Sequence, residues 1–331
     1  MDKEKNMFNN ILVPIDRSSL AECVLPHVVA VAGTFESRVM LLHVMDSTNQ
    51  DNRPRAVDPL DWQIRKAEAE NYLHDLALRL QTAGLPIERH ILEGQAAEQI
   101  VDFARTNNVD LIILSSHGQS GLSGWNVSGV VQKIILRAST SIMVVRAYQP
   151  VTPELTGLRY RRLLVPLDGS QRAECVLPQA VTLARAHQAQ IVLAYIVRRP
   201  EMPRRTPPTR EDVELAEQVV ERNQAEAVEY LEQCKPRLPG DVQTRALVSE
   251  HVFSTLHELV DQEKIDLVFL SAHGYSGQTR WLYGSLVISF IVYGTTPLLI
   301  VQDVPAHRIQ PGPAEVAAKE HGRRETTVHG E

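Results

Sequence analysis

The pattern of apolar and polar positions along this chain is written twice. Residues 8–45 read FNNILVPIDRSSLAECVLPHVVAVAGTFESRVMLLHVM, and residues 160–197 read YRRLLVPLDGSQRAECVLPQAVTLARAHQAQIVLAYIV. The hexamer from Ala21 to Pro26 recurs unchanged from Ala173 to Pro178, an offset of 152, so duplication takes precedence over every local assignment. In each copy, aliphatic runs of strand length alternate with stretches whose apolar positions recur at the helical period. Strands are predicted at 11–15, 39–44, 87–92, 110–114 and 142–145, and again at 163–167, 191–197, 242–248, 266–270 and 298–301.

Between the strands, Leu20, Val24, Val28 and Val31 mark a first helix that Ser18 or Ser19 caps in copy one and Ser170 in copy two. Pro26 and Pro178 fall inside that helix and predict a kink. Tyr72, Leu76 and Leu80 mark a second helix that stops at Gly84, with its counterpart over 211–234. Third helices are expected over 96–106 and 252–262, and fourth helices over 130–138 and 286–292. This alternation of strand and helix implies an α/β chain of two doubly wound, five-stranded parallel-sheet domains in tandem, with right-handed crossovers. The copies span 7–147 and 160–303, joined by a linker at 148–159. The tail at 304–331 has no apolar period and is expected to be disordered.

Ligands of such sheets bind beyond the carboxyl ends of the strands, where the strand order reverses. Two signals converge there. Asp16 and Asp168 end the first strand of each copy, and a small-residue loop follows the fourth: SAHGYSGQTRWLYGS in copy two, and Ser115-Ser116-His117-Gly118 through Ser128-Gly129 in copy one. Glycines let backbone N–H groups approach an anion, and the open amides and dipole of the following helix favour negative charge. Each aspartate is also a candidate for capping the helix after it. His117 and His273 lack the spacing of metal ligands and are read as holding their loops. Trp125 and Trp281 are read as loop packing. The connection from 198 to 210 carries five arginines and is read as a solvated, proline-stiffened loop.

Composition narrows the function little. The 331 residues carry a net charge of −6, which gives no electrostatic reason to expect nucleic acid. No apolar run approaches membrane-spanning length and the start lacks a signal-peptide core, so the chain reads as cytoplasmic. Cys23, Cys175 and Cys234 match neither a disulfide framework nor a zinc motif and are assigned to packing.

With these residues in place the chain resembles the universal stress protein family, as a tandem of two such domains. The resemblance rests on ILVPID and LLVPLDGS, the LLHV second strand, EGQAAEQI at 93–100, and the SxHG loop with its GS ending. It implies a Rossmann-like fold of the adenine nucleotide alpha-hydrolase-like kind, with the two copies paired as an intramolecular dimer. It further implies either an ATP-binding subclass or one that binds no nucleotide. The family's ATP pattern is glycine, two residues, glycine, nine residues, glycine, then serine or threonine. Copy two matches it as Ser271, Gly274, Gly284 and Ser285, departing only at Ser271; copy one has Ser115, Gly118, Ser128 and Gly129, departing at the first glycine and at the closing pair.

The resemblance places Asp168 on the ribose and Ile196 on the adenine; Asp16 and Val44 hold the same positions in copy one. Copy two is thus expected to be the better ATP site, with Mg²⁺ bridging phosphates, no metal held by side chains, and Arg280 near the phosphates where copy one has Gly124. Ser128 is expected to be strained if its φ must be positive. The implied role is a nucleotide-dependent sensor or switch rather than a fast enzyme, a role compatible with slow ATP hydrolysis; the alternative is a non-nucleotide-binding protein-interaction module. One helix departs from its twin: 286–293 reads LVISFIVY without a charge, whereas 130–138 carries Gln132, Lys133 and Arg137. An all-round apolar helix is normally buried, so it predicts an added contact, between the copies or with a second chain as a homodimer.

Overall fold

The computed structural model describes residues 7–45, 59–119, 121, 127–147, 154–200, 209–274 and 283–303. Arg280, Gly124, Trp125, Trp281, most of the arginine-bearing connection and the tail lie outside them. Copy one runs β1 (Asn10–Pro14), a 3-10 turn (Ala21–Val24), α1 (Leu25–Phe35), β2 (Arg38–Met45), α2 (Pro59–Gln81), β3 (Ile87–Glu93), α3 (Ala96–Thr106), β4 (Leu111–Ser115), α4 (Gly129–Ile135) and β5 (Ser141–Val145). Copy two repeats it as β6 (Arg162–Pro166), α5 (Gln171–Glu174), α6 (Leu177–His187), β7 (Gln190–Arg198), α7 (Arg210–Cys234), β8 (Val242–Ser249), α8 (Val252–Gln262), β9 (Leu267–Ser271), α9 (Ser285–Tyr293) and β10 (Leu298–Val301).

Each copy is a parallel sheet in which β1 or β6 lies between the second and fourth strands, which is the reversal point. The central strands are buried on both faces: Ile11, Leu12, Val13, Leu111, Ile112 and Ile113 are fully covered, as strands between two helical layers must be. The two sheets are in fact one. β5 pairs antiparallel with β10, Met143 opposite Leu299, to give the order β3-β2-β1-β4-β5-β10-β9-β6-β7-β8.

Two further contacts hold the copies together. On one face α1 packs on α6, where the Tyr160 hydroxyl and His27 Nδ1 share a hydrogen bond of 2.7 Å and the His187 ring lies 5.1 Å from that of Tyr160. On the other, Arg146, next after β5, is completely buried. Its guanidinium donates to the carbonyls of Phe290 at 2.7 Å, Ile291 at 3.2 Å and Thr296 at 3.4 Å. A cation on the last carbonyls of a helix complements its dipole. The uncharged α9 therefore makes its added contact within the chain, taking from copy one a charge that its own sequence lacks. Its outer face keeps Ile288 and Tyr293 40% and 70% exposed.

Two sequence expectations change. Pro26 and Pro178 do not kink a helix; each sits in the first turn of α1 or α6, where a missing N–H costs no helix bond, and the preceding turn is a separate element. Ser115 and Ser271 close strands β4 and β9 instead of opening a loop.

Candidate functional site

The strand-one aspartates meet the glycine loops as the order of strands requires. Asp16 Oδ1 accepts from the Ser18 amide at 3.1 Å and hydroxyl at 2.6 Å, while Oδ2 accepts from the amide of Gln119. Asp168 repeats the first pair with Ser170, at the same two distances. A Cβ on Gly118 would stand 1.9 Å from Asp16 Oδ2, and one on Gly274 2.3 Å from Asp168 Oδ2. These contacts are far inside van der Waals range, so any side chain there displaces the carboxylate. Glycine at the second position of the pattern thus lets the carboxylate stay where it is, against the loop.

The other loop positions are occupied differently from expectation. Ser115 and Ser271, which stand for the first glycine, are buried and accept from the thiols of Cys23 at 3.4 Å and Cys175 at 3.5 Å. Their hydroxyls are held by the segment that leads into α1 or α6. Burial pushes both thiols up, Cys175 to about 11, so they are protonated packing groups near neutrality.

Ser128 carries no strain: its φ of −70° and ψ of 160° match the −74° and 166° of Gly284. Instead Ser128 caps α4, its Oγ accepting from the Val131 amide at 3.3 Å. Gly284 brings no capping side chain to α9. The closing pair therefore differs in chemistry and not in backbone conformation. Copy one answers an orphan helix amide internally, and copy two leaves that service to another acceptor.

The histidines hold their loops in two ways. His117 Nδ1 lies 3.1 Å from Ser116 Oγ, which also accepts from the Ala147 amide at 3.0 Å. In copy two the residue before His273 is Ala272, and Asp303 supplies the polar partner at 2.6 Å; Arg172 stands 3.6 Å from the other Asp303 oxygen. Both histidines are buried. Among the described residues no group of three or more His, Cys, Asp or Glu is placed to hold a metal.

In copy one these elements enclose a cleft of about 840 Å³. Asp16, Val44, Ser115, Gly118 and Ser128 all line it; Gly129, with open space at its Cα, does not crowd it. In copy two Ile196 is half-buried on β7, at the strand position that Val44 holds on β2.

The lining also includes residues that motif reading passed over. Arg17 and Arg65 border the cleft, with His43 on β2. Arg17 has φ +69° at the place where copy two has Gly169 at φ +80°. A side chain held there costs about 1–2 kcal/mol. Laying the copies side by side shows this as Arg17 against Gly169, a signal present in the sequence.

The amino-acid pattern has counterparts among known proteins. The model of the universal stress protein family matches twice, over residues 7–146 and 159–302. The chain belongs to the universal stress protein family. Among curated relatives it is similar to universal stress protein MJ0577 of Methanocaldococcus jannaschii, 28% identical over 155 residues that make up 42% of this chain and 96% of that protein. Universal stress protein YxiE of Bacillus subtilis is 26% identical over 149 residues, 42% of this chain and all of that protein. A universal stress protein structure from Archaeoglobus fulgidus covers 91% of this chain and 100% of its own at a TM-score of 0.63 and 14% identity, a likeness of fold. The tandem arrangement of two family domains thus agrees with the repeat read from the sequence. No described helix is long and apolar enough to cross a membrane.

Proposed function

We propose that this universal stress protein is an adenine-nucleotide-binding sensor or switch whose second copy takes ATP. The observation that carries this reading is the cradle at the reversal point, where Gly118 and Gly274 lie against Asp16 and Asp168 so closely that no Cβ fits. A carboxylate at the end of strand one can accept from ribose hydroxyls, and the half-buried aliphatic of strand two, Val44 or Ile196, suits a purine face. The loop and the helix behind it suit phosphates. Ser271, His273, Gly274, Gly284 and Ser285 would line the phosphate end in copy two, and Arg280 would reach it from the loop. Mg²⁺ would be held by the phosphates and not by side chains.

Copy two is favoured because Gly284 leaves the first turn of α9 without a capping side chain, whereas Ser128 already occupies that of α4. Bound ATP would contact the first turn of α9, the helix that Arg146 ties to copy one. That is a physical route by which occupancy of one copy is felt by the other. Among the described residues none near the cleft is arranged as a nucleophile with its base, in keeping with a sensor rather than fast turnover.

Calorimetric titration of ATP with Mg²⁺ tests this on wild type, Gly274→Val and Gly118→Val. The expected result is ATP binding that Gly274→Val abolishes and Gly118→Val leaves in place, with circular dichroism confirming that both variants fold. Wild-type protein that shows no heat at millimolar ATP, weaker than about −4 kcal/mol, overturns the reading.

A further inference from the structure

The two copies differ in charge beside the strand-one aspartate. In copy one Arg17 and Arg65 both line the cleft, against one carboxylate, Asp16. The matched positions of copy two follow from residues buried alike on the second helices: Ala69 with Ala227 and Leu73 with Leu231. On that register Arg65 faces Asn223, and Arg17 corresponds to Gly169. Copy one therefore has a cation at each of two matched positions that are uncharged in copy two, while the aspartate is common to both.

Arg17 is held at this place against its backbone preference, since its φ of +69° is one that glycine adopts freely in the other copy. A non-glycine residue kept in such a conformation at a cleft is a reason to look for function. Arg17 pairs with Glu68 at 3.0 Å, and both side chains are partly exposed. Exposed pairs of this kind hold weakly, so the guanidinium can turn to a stronger acceptor. Arg65 lies one helical turn before Glu68 on α2, and no ion pair is formed by it among the described residues.

His43 adds polarity without charge. Its Nδ1 donates to the Ile15 carbonyl at 2.7 Å, and burial lowers its pKa. Copy two has Tyr195 here, with its hydroxyl 3.5 Å from the Asp168 carbonyl.

The cleft of copy one thus has two anion-attracting ends. At one end the glycine loop and Gln119 meet β4; at the other Arg17 and Arg65 flank the β2 side. Asp16, two residues beyond the end of β1, lines the same cleft. Strands one and two steps apart lie about 5 and 10 Å from each other, the scale on which a single nucleotide separates two phosphate groups.

We infer that the first copy binds an adenosine 5′-phosphate bearing a second phosphate on its ribose, with Arg17 and Arg65 gripping that second group. This rests on the adenine-nucleotide reading of the fold and gives the two copies different ligands. The second phosphate supplies acceptors for two guanidinium groups, and it offsets its own repulsion from Asp16 through them.

The test uses the full chain with copy two disabled by Gly274→Val. Adenosine 5′-monophosphate, adenosine 3′,5′-bisphosphate and adenosine 2′,5′-bisphosphate are titrated calorimetrically. The expected result is that one bisphosphate binds at least about tenfold more tightly than the monophosphate, as added charge-assisted bonds allow. Arg65→Gln should remove most of that advantage while leaving the monophosphate unchanged. Arg17→Gly, which relieves the backbone, should do the same without loss of fold. Equal affinity for all three nucleotides overturns the inference and leaves adenine-nucleotide binding standing. Absence of binding by all three overturns it as well, while ATP binding by Gly118→Val, in which copy two is intact, reports separately on the reading above.

Discussion

Arg146 is the most exacting test of how the two copies are joined. Replacing it with methionine keeps an unbranched apolar stem but removes donors to the carbonyls of Phe290, Ile291 and Thr296. Hydrogen bonds from a charged donor contribute about 1.5–3 kcal/mol each. The two at 2.7 and 3.2 Å are the better formed, giving a gross loss of roughly 3–6 kcal/mol. Against this, methionine needs no desolvation of an ion, which offsets part of the loss. A net destabilisation of about 2–4 kcal/mol is expected, because neutral carbonyls and not an opposite charge are left behind. Urea denaturation followed by far-ultraviolet circular dichroism measures it, with Arg146→Lys falling between wild type and methionine. An Arg146→Met protein as stable as wild type would refute the idea that this cation completes α9.

Acid should loosen the opposite face of the seam. Burial holds the His27 pKa at about 4, below the unfolded value near 6.5, so between those values the unfolded chain binds the extra proton. Stability therefore rises with pH across that window: the full benefit is present above about 6.5, and it is lost as pH falls to about 4. The shift corresponds to about 3 kcal/mol. Denaturation midpoints from pH 4 to 7 should show this slope, and His27→Gln should flatten it. Ser128→Ala removes the cap on α4 and should cost about 1 kcal/mol in thermal melts, whereas Ser128→Gly should cost only a few tenths because Gly284 adopts the same conformation in copy two.

The elements were legible because the hydrophobic period was strong and stated twice. Third helices at 96–106 and 252–262 are those of the structure to the residue. The meeting of Asp16 with the loop a hundred residues later also followed from strand order alone. Less legible was anything that depends on a single torsion or a distant partner. A proline reads alike whether it kinks a helix or begins one, and only the turn before Pro26 decides. Ser128 invited a strain argument that its extended backbone removes, since pattern shows which residue stands at a site and not its φ. Arg146 gave no local signal, for its acceptors lie 144 to 150 residues away. Asp303 was hidden likewise: its histidine sits 30 residues back, and copy one solves the same need with a serine one residue before its own.

The antiparallel join of β5 to β10 has a consequence for dosage. A pair built from separate chains comes apart on dilution, so its coupling tracks the amount of protein present. Here both partners share one backbone, and each meets the other at an effective concentration fixed by the connecting segment. Contact between the two copies is therefore a first-order property of the molecule. It is the same at low protein concentration as at high, and only the number of joined pairs changes.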